Sequence, residues 1–158
     1  MKQLLLFVLL FASAIISFSQ KPFQENDLYL EAGGNGLFGS VNYERQLTQK
    51  PGMGIRVGIG FYTENAFYLT VPIGINYLFP LKKKGAFIDA GLGATWAKIN
   101  GNLFANKRNN DNSFASFIPS IGYRKHADRN VMWRISLTPI ANKNGVFPWV
   151  GFSLGKRF

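Results

Sequence analysis

The chain has 158 residues, enough for one domain, and carries 18 Lys and Arg against 8 Asp and Glu, a formal net charge of +10. The basic residues are scattered apart from Lys82-Lys83-Lys84, which argues against nucleic acid as a partner. With no Cys and a single His, disulfides, thiolate metal sites, a lipidated N-terminal Cys and a multi-histidine metal centre are excluded, and no cofactor is expected.

The first segment has the pattern of a targeting signal. Lys2 supplies a positive start, a thirteen-residue apolar region runs from Leu4 to Ile16, and Ser17 and Ser19 satisfy the small-x-small rule for cleavage after Ser19. An anchor helix would need roughly 20 apolar residues. The expected organisation is therefore a signal peptide over residues 1–19 and one domain over residues 20–158, in an exported chain.

Residues 21–26 are polar and read as a lead-in that orders on docking. Alternation then begins, with Leu28, Leu30 and Ala32 in one phase and Tyr29, Glu31 and Gly33 in the other. Farther on, Leu37, Gly39, Val41 and Tyr43 oppose Phe38, Ser40, Asn42 and Glu44, so the apolar parity has flipped from even to odd. A two-residue type I′ turn at Asn35-Gly36 accounts for the flip. The third strand sets Met53, Ile55, Val57, Ile59 and Phe61 against Gly54, Arg56, Gly58, Gly60 and Tyr62, after a turn over residues 48–52. The fourth follows a short loop over residues 63–66 and sets Leu69, Val71, Ile73, Ile75, Tyr77 and Phe79 against Tyr68, Thr70, Gly74 and Asn76. Pro72 on that strand suggests a bulge.

After a turn over residues 80–85, the fifth strand alternates Ile88, Ala90, Leu92, Ala94 and Trp96 with Asp89, Gly91, Gly93 and Thr95. A long polar loop is expected over residues 98–112. The sixth strand sets Ala115, Phe117, Ile121 and Tyr123 against Ser116, Ile118, Gly122 and Arg124, and residues 125–130 turn. The seventh sets Val131, Trp133, Ile135 and Leu137 against Met132, Arg134, Ser136 and Thr138. After a loop over residues 141–147, the eighth sets Val150, Phe152, Leu154, Lys156 and Phe158 against Gly151, Ser153, Gly155 and Arg157. Eight short strands with turn signals between them make an all-β sandwich or barrel.

Alternation does not say which phase faces outward. The non-apolar phase is dominated by Gly, Ser and Thr, whereas a water-facing sheet would carry many Lys and Glu. Small residues fit the crowded interior of an eight-stranded barrel. The apolar phase ends in aromatics, Tyr43, Tyr77, Phe79, Tyr123, Trp133 and Phe158 at one rim and Phe61 and Trp96 at the other, as two bilayer interfaces select. The fold expected is an eight-stranded antiparallel up-and-down transmembrane β-barrel, apolar phase to lipid. Lys156 is the exception on that face, tolerable near the rim because its stem can snorkel.

An exported chain with this pattern and a terminal Phe resembles the small bacterial outer-membrane β-barrels of the OmpA-transmembrane-domain and OmpX kind. The segments Glu31-Ala-Gly-Gly-Asn-Gly36 and Asn42-Tyr-Glu-Arg45 resemble uncharacterised outer-membrane barrels of Bacteroidota. The resemblance implies an outer-membrane location in a Gram-negative cell envelope, a periplasmic N-terminus, and recognition of Phe158 by the outer-membrane assembly machinery. Deleting Phe158 is expected to impair insertion far more than the stability of a barrel already formed.

The inward phase contains Glu31, Glu44, Arg56, Asp89, Arg124, Arg134 and Arg157; with the periplasmic N-terminus that the resemblance implies, all of them fall in the periplasmic half. Glu44 should meet Arg56 on the next strand and Arg157 should approach Glu31, forming an ionic plug, because unpaired buried charges are costly. A narrow ion or small-solute channel is the alternative. Catalysis is not expected: the one His, His126, reads as a solvated turn residue with no Ser beside it. Lys82, Lys83 and Lys84 read as a solvated turn that could touch anionic headgroups or the cell wall. Lys98, Leu103, Phe104, Lys107 and Arg108 are the candidates for binding something outside, and the cations Lys98, Lys107, Arg108 and Lys143 would lie in outer loops near lipopolysaccharide phosphates. Outer-membrane lipid and lipopolysaccharide are the expected surroundings of a monomer. A third reading, a secreted soluble lipocalin-type barrel, predicts an apolar cavity lined by Val57, Ile73, Leu92 and Ile135.

Overall fold

A computed structural model describes residues 23–63, 67–99, 113–142 and 145–158. Residues 1–19, expected to be a signal peptide, and Leu103, Phe104, Lys107, Arg108 and Lys143 lie outside these. Ten strands follow in order: β1 Asn26–Gly33, β2 Gly39–Gln46, β3 Met53–Thr63, β4 Phe67–Pro80, β5 Ala86–Ile99, β6 Ser113–His126, β7 Val131–Leu137, β8 Ile140–Asn142, β9 Gly145–Phe147 and β10 Val150–Arg157. They form eight staves. β8 continues β7, since both pair with β6, and β9 continues into β10. Each stave is antiparallel to its neighbours in sequence, and β1 pairs with β10 to close the ring.

The breaks in the last two staves have a chemical cause. The register that sets Leu137 opposite Val150 and Ile140 opposite Phe147 also brings Pro139 and Pro148 to the same level. Neither proline has an N–H to give the ladder, so pairing lapses there and resumes unshifted. Thr138 still donates its N–H to the Trp149 carbonyl at 2.8 Å. Pro72 acts the same way. The β3–β4 pairing lapses between Val57↔Ile73 and Gly60↔Thr70 and resumes in the same register, so there is no bulge.

Pairing followed round the ring from Leu28 passes through Tyr43, Val57, Ile73, Ala94, Phe117, Ala141 and Val146. Extended by the β1–β10 register, Val146 stands level with position 38 instead of 28, a shear of ten residues. Such stagger is what tilts strands and closes a barrel.

The phases divide as a membrane barrel requires. Leu30 and Ile59 on the outside are 65% and 63% exposed, while Glu44 and Arg124 inside are fully buried. Val57, Ile73, Leu92 and Ile135 are about half exposed on the outer wall and line no internal cavity, which overturns the lipocalin-type alternative. At the rim where β1 begins and β10 ends, Tyr77 packs on Phe79 at 4.6 Å and Tyr123 on Trp133 at 5.4 Å. At the opposite rim Phe61 stacks on Phe67 at 6.3 Å.

Three further expectations need correction. Lys98 is a strand residue, opposite Leu69 and Ser113, because β5 runs to Ile99 instead of ending at Trp96. His126 ends β6 and is half-buried. The β1–β2 register follows from the flip in parity, but the connection is no type I′ turn. Gly33 bonds Phe38 (N–H to O, 2.8 Å), and Gly34, Asn35, Gly36 and Leu37 between them fold inward.

Candidate functional site

The lumen has two parts, a charged belt toward the termini and a tucked turn toward the other end. The belt is built by strand parity. Leu28 and Leu30 face lipid, so Asp27, Tyr29 and Glu31 face inward, and the same rule brings Glu44, Arg56, Asp89, Arg124, Arg134 and Arg157 inside. Asp27 belongs to this set although the sequence reading began one residue too late to include it. Four acids, Asp27, Glu31, Glu44 and Asp89, then face four arginines. Among the described residues the lumen is neutral.

Register alone would put like charges together, since Arg124 stands directly opposite Arg134. The conflict is resolved by reaching across the lumen. Arg124 bonds Asp27 at 3.0 Å and Asp89 at 3.2 Å and also holds Glu44, while Arg134 bonds Glu31 at 2.7 Å and Asp89 at 3.1 Å. Asn76 donates to both Glu44 (3.1 Å) and Asp89 (3.2 Å), and Gln46 donates to Glu44 at 3.0 Å. The Arg134 guanidinium lies 5.2 Å from the Tyr29 ring centre. Every acid shares its charge with an arginine and several with amide donors, as burial demands.

Two pairings differ from expectation. Arg56 stands opposite Glu44 on the ladder, but Glu44 is already engaged by Arg124, Gln46 and Asn76. Arg56 instead donates to Ser120 at 3.1 Å and to the Asn35 side-chain oxygen, 2.7 and 3.2 Å away when that amide is turned to suit its neighbours. Arg157 does not reach Glu31. The register sets Arg157 opposite Asp27 and Ser153 opposite Glu31, four residues or roughly 13 Å apart along the strand. Arg157 lies 3.6 Å from Asp27, and Arg134 and Ser153 take Glu31.

The tucked turn is the feature that sequence reading missed. Gly33, Gly34 and Leu37 have φ of 71°, 67° and 74°, which reverses the chain into the lumen instead of away from it. Gly-Gly-Asn-Gly supplies most of that freedom; Leu37 adopts a costly conformation and is held by burial. Its backbone is satisfied by the barrel wall: the Asn35 N–H donates to Glu31 (3.1 Å), Thr95 donates to the Asn35 carbonyl, Thr70 to the Gly36 carbonyl (3.1 Å), and the Trp149 indole to the Leu37 carbonyl (3.2 Å). Space for it comes from glycine. A Cβ at Gly93 would overlap the Asn35 side chain, and one at Gly151 would press on Gly34.

Above the turn, inward-phase aromatics cover the mouth. Trp149 stacks on Phe38 at 6.1 Å, Phe38 meets Tyr62 at 5.0 Å, and Tyr62 meets Tyr68 at 5.9 Å. At the other mouth the lead-in docks. Phe23 covers the Arg157 guanidinium at 4.9 Å and approaches His126 at 6.1 Å, and His126 packs on Phe87 at 4.6 Å. Arg157 donates to the Gln24 carbonyl at 2.7 Å, and Asn26 and Phe158 exchange backbone hydrogen bonds of 3.1 and 2.9 Å. His126 is thus a packing residue of the mouth, its ring between aromatics, and not a solvated turn.

No protein-family model and no curated protein matches the sequence. Among solved structures, the N-terminal β-barrel domain of Pseudomonas aeruginosa OprF is similar over 88% of this chain and 100% of its own, with a TM-score of 0.61 and 12% identity. Ail, the attachment invasion locus protein of Yersinia pestis, matches over 85% of this chain and 94% of its own, with a TM-score of 0.45 and 11% identity. The likeness to OprF is one of fold: this chain has the architecture of an outer-membrane eight-stranded barrel.

Proposed function

We propose that the protein is a closed, non-catalytic barrel of the outer membrane, a monomer with a structural or interaction role at the cell surface. The observation that carries this reading is the Arg56–Asn35 contact. It joins the charged belt to the tucked turn, so that buried side chains and backbone run without interruption from Asp27 to the Trp149–Phe38 stack. Ions crossing such a lumen would have to break salt bridges and backbone hydrogen bonds together. In this reading export is directed by residues 1–19, Phe158 is the element met by the outer-membrane assembly machinery, and lipopolysaccharide surrounds the loop end. Phe158 is suited to that role, with its backbone closing the β1–β10 ladder and its ring outward and exposed.

Planar-bilayer recording tests the closed lumen. The wild-type barrel should pass no steady current, and Arg56→Ala with Glu44→Ala should introduce open events. A steady wild-type pore that these changes leave unaltered would refute the plug and favour the narrow channel.

A further inference from the structure

Because the lumen is neutral, the chain's positive excess lies elsewhere. Much of it is gathered at the rim that holds the termini. Arg45, Lys125 and Lys156 project from β2, β6 and β10 on the lipid-facing phase. The adjoining turns add Lys50, Lys82, Lys83, Lys84 and Arg129. Eight cationic side chains at this rim face two acidic ones among the described residues, Glu25 and Asp128, an excess of six among side chains. None of the eight makes an ion pair among the described residues.

We propose that this rim is a binding surface for anionic phospholipid headgroups. The three strand cations carry the argument, because their positions are lipid-facing and not merely solvent-facing. Lys156 is flanked across the ladder by Val131 and Leu28, and Lys125 by Trp133 and Ala86. On the same strands and the same phase, Tyr43 precedes Arg45 and Tyr123 precedes Lys125 by two residues, roughly 7 Å. The tyrosines belong to the aromatic girdle, which marks the bilayer interface. One step beyond it, where Arg45 and Lys125 stand, is the depth of the lipid phosphates, and Lys156, one step short of Phe158, reaches that depth with its long stem. There the apolar stems lie along the barrel and the charged heads reach outward. The turn cations extend the field to the membrane surface, and the Lys125 ammonium, bonded to the Lys84 carbonyl, links the two sets. On a zwitterionic lipid the phosphate charge is already offset by the headgroup ammonium, so the excess of six favours phosphatidylglycerol over phosphatidylcholine.

The test is the lipid selectivity of the folded protein in nanodiscs, read from motionally restricted spin-labelled phosphatidylglycerol and phosphatidylcholine. The expected result is a several-fold enrichment of phosphatidylglycerol at low salt that declines at high salt. The triple variant Arg45→Gln, Lys125→Gln, Lys156→Gln should bring the ratio close to one, and Lys82→Gln, Lys83→Gln, Lys84→Gln should lower it less. Heat-modifiable gel migration checks that each variant is folded. Should the strand variant fail that check, Lys156→Gln alone and the salt titration of the wild-type protein still decide. Equal occupancy by the two lipids overturns the proposal, as does a selectivity that the strand substitutions leave unchanged. Retention on isolated cell wall together with equal lipid occupancy overturns it in favour of a cell-wall contact.

Discussion

The two halves of the lumen are filled by different means. Toward the termini, long side chains from the staves meet at the barrel axis: Arg124 and Arg134 reach across it to Asp27, Glu31, Glu44 and Asp89. Toward the other end, below the aromatic mouth, the inward residues at the level of Gly58, Gly60, Gly93 and Gly151 are too small to meet, and the chain's own backbone enters instead. Charge fills one half and hydrogen-bonded main chain the other. The first is held by strong, mutually dependent pairs; the second by several ordinary hydrogen bonds and by shape.

That contrast orders the expected mutational effects. Arg124→Leu should be the most damaging, because it strands Glu44 without a guanidinium and leaves Asp27 only Arg157. Breaking a buried pair in this way costs about 3–5 kcal/mol, measurable as a lower urea midpoint for the folded barrel in lipid vesicles. An unchanged midpoint would mean that water reaches the belt. Gly93→Val attacks the other half, where the added side chain would occupy the place of Asn35. Expelling the turn should cost about 1–3 kcal/mol by overpacking, less than Arg124→Leu, while raising conductance more. If conductance stays at the wild-type level while the turn is displaced, the belt alone closes the barrel. Trp149→Phe should have the smallest effect. It deletes the hydrogen bond to the Leu37 carbonyl and leaves the stack on Phe38, for a loss of about 1 kcal/mol and no steady current.

The belt was largely legible in the sequence. Once Leu28 and Leu30 are assigned to lipid, the period of two carries every inward charge with it. The individual partners were not legible. Arg56 and Glu44 are ladder neighbours, yet Arg124 takes Glu44 from across the barrel, a choice made by side-chain reach and by competition among eight charges. The tucked turn was misread for a related reason. Asn-Gly between two alternating runs is a hairpin signal, and the register it implies is the one adopted. What that signal does not contain is the direction in which the loop folds.

The sequence by itself determined the number of staves, their phase, the side that meets lipid and the level at which the charges collect. These properties depend on strand periodicity and on the medium each face must match. Only the tertiary structure decided where the chain's own backbone enters the lumen. Whether Gly34–Leu37 points in or out depends on Thr70, Thr95, Arg56 and the room at Gly93 and Gly151, which lie on other staves. Those groups come within reach of the turn only when the ring closes with its shear of ten residues.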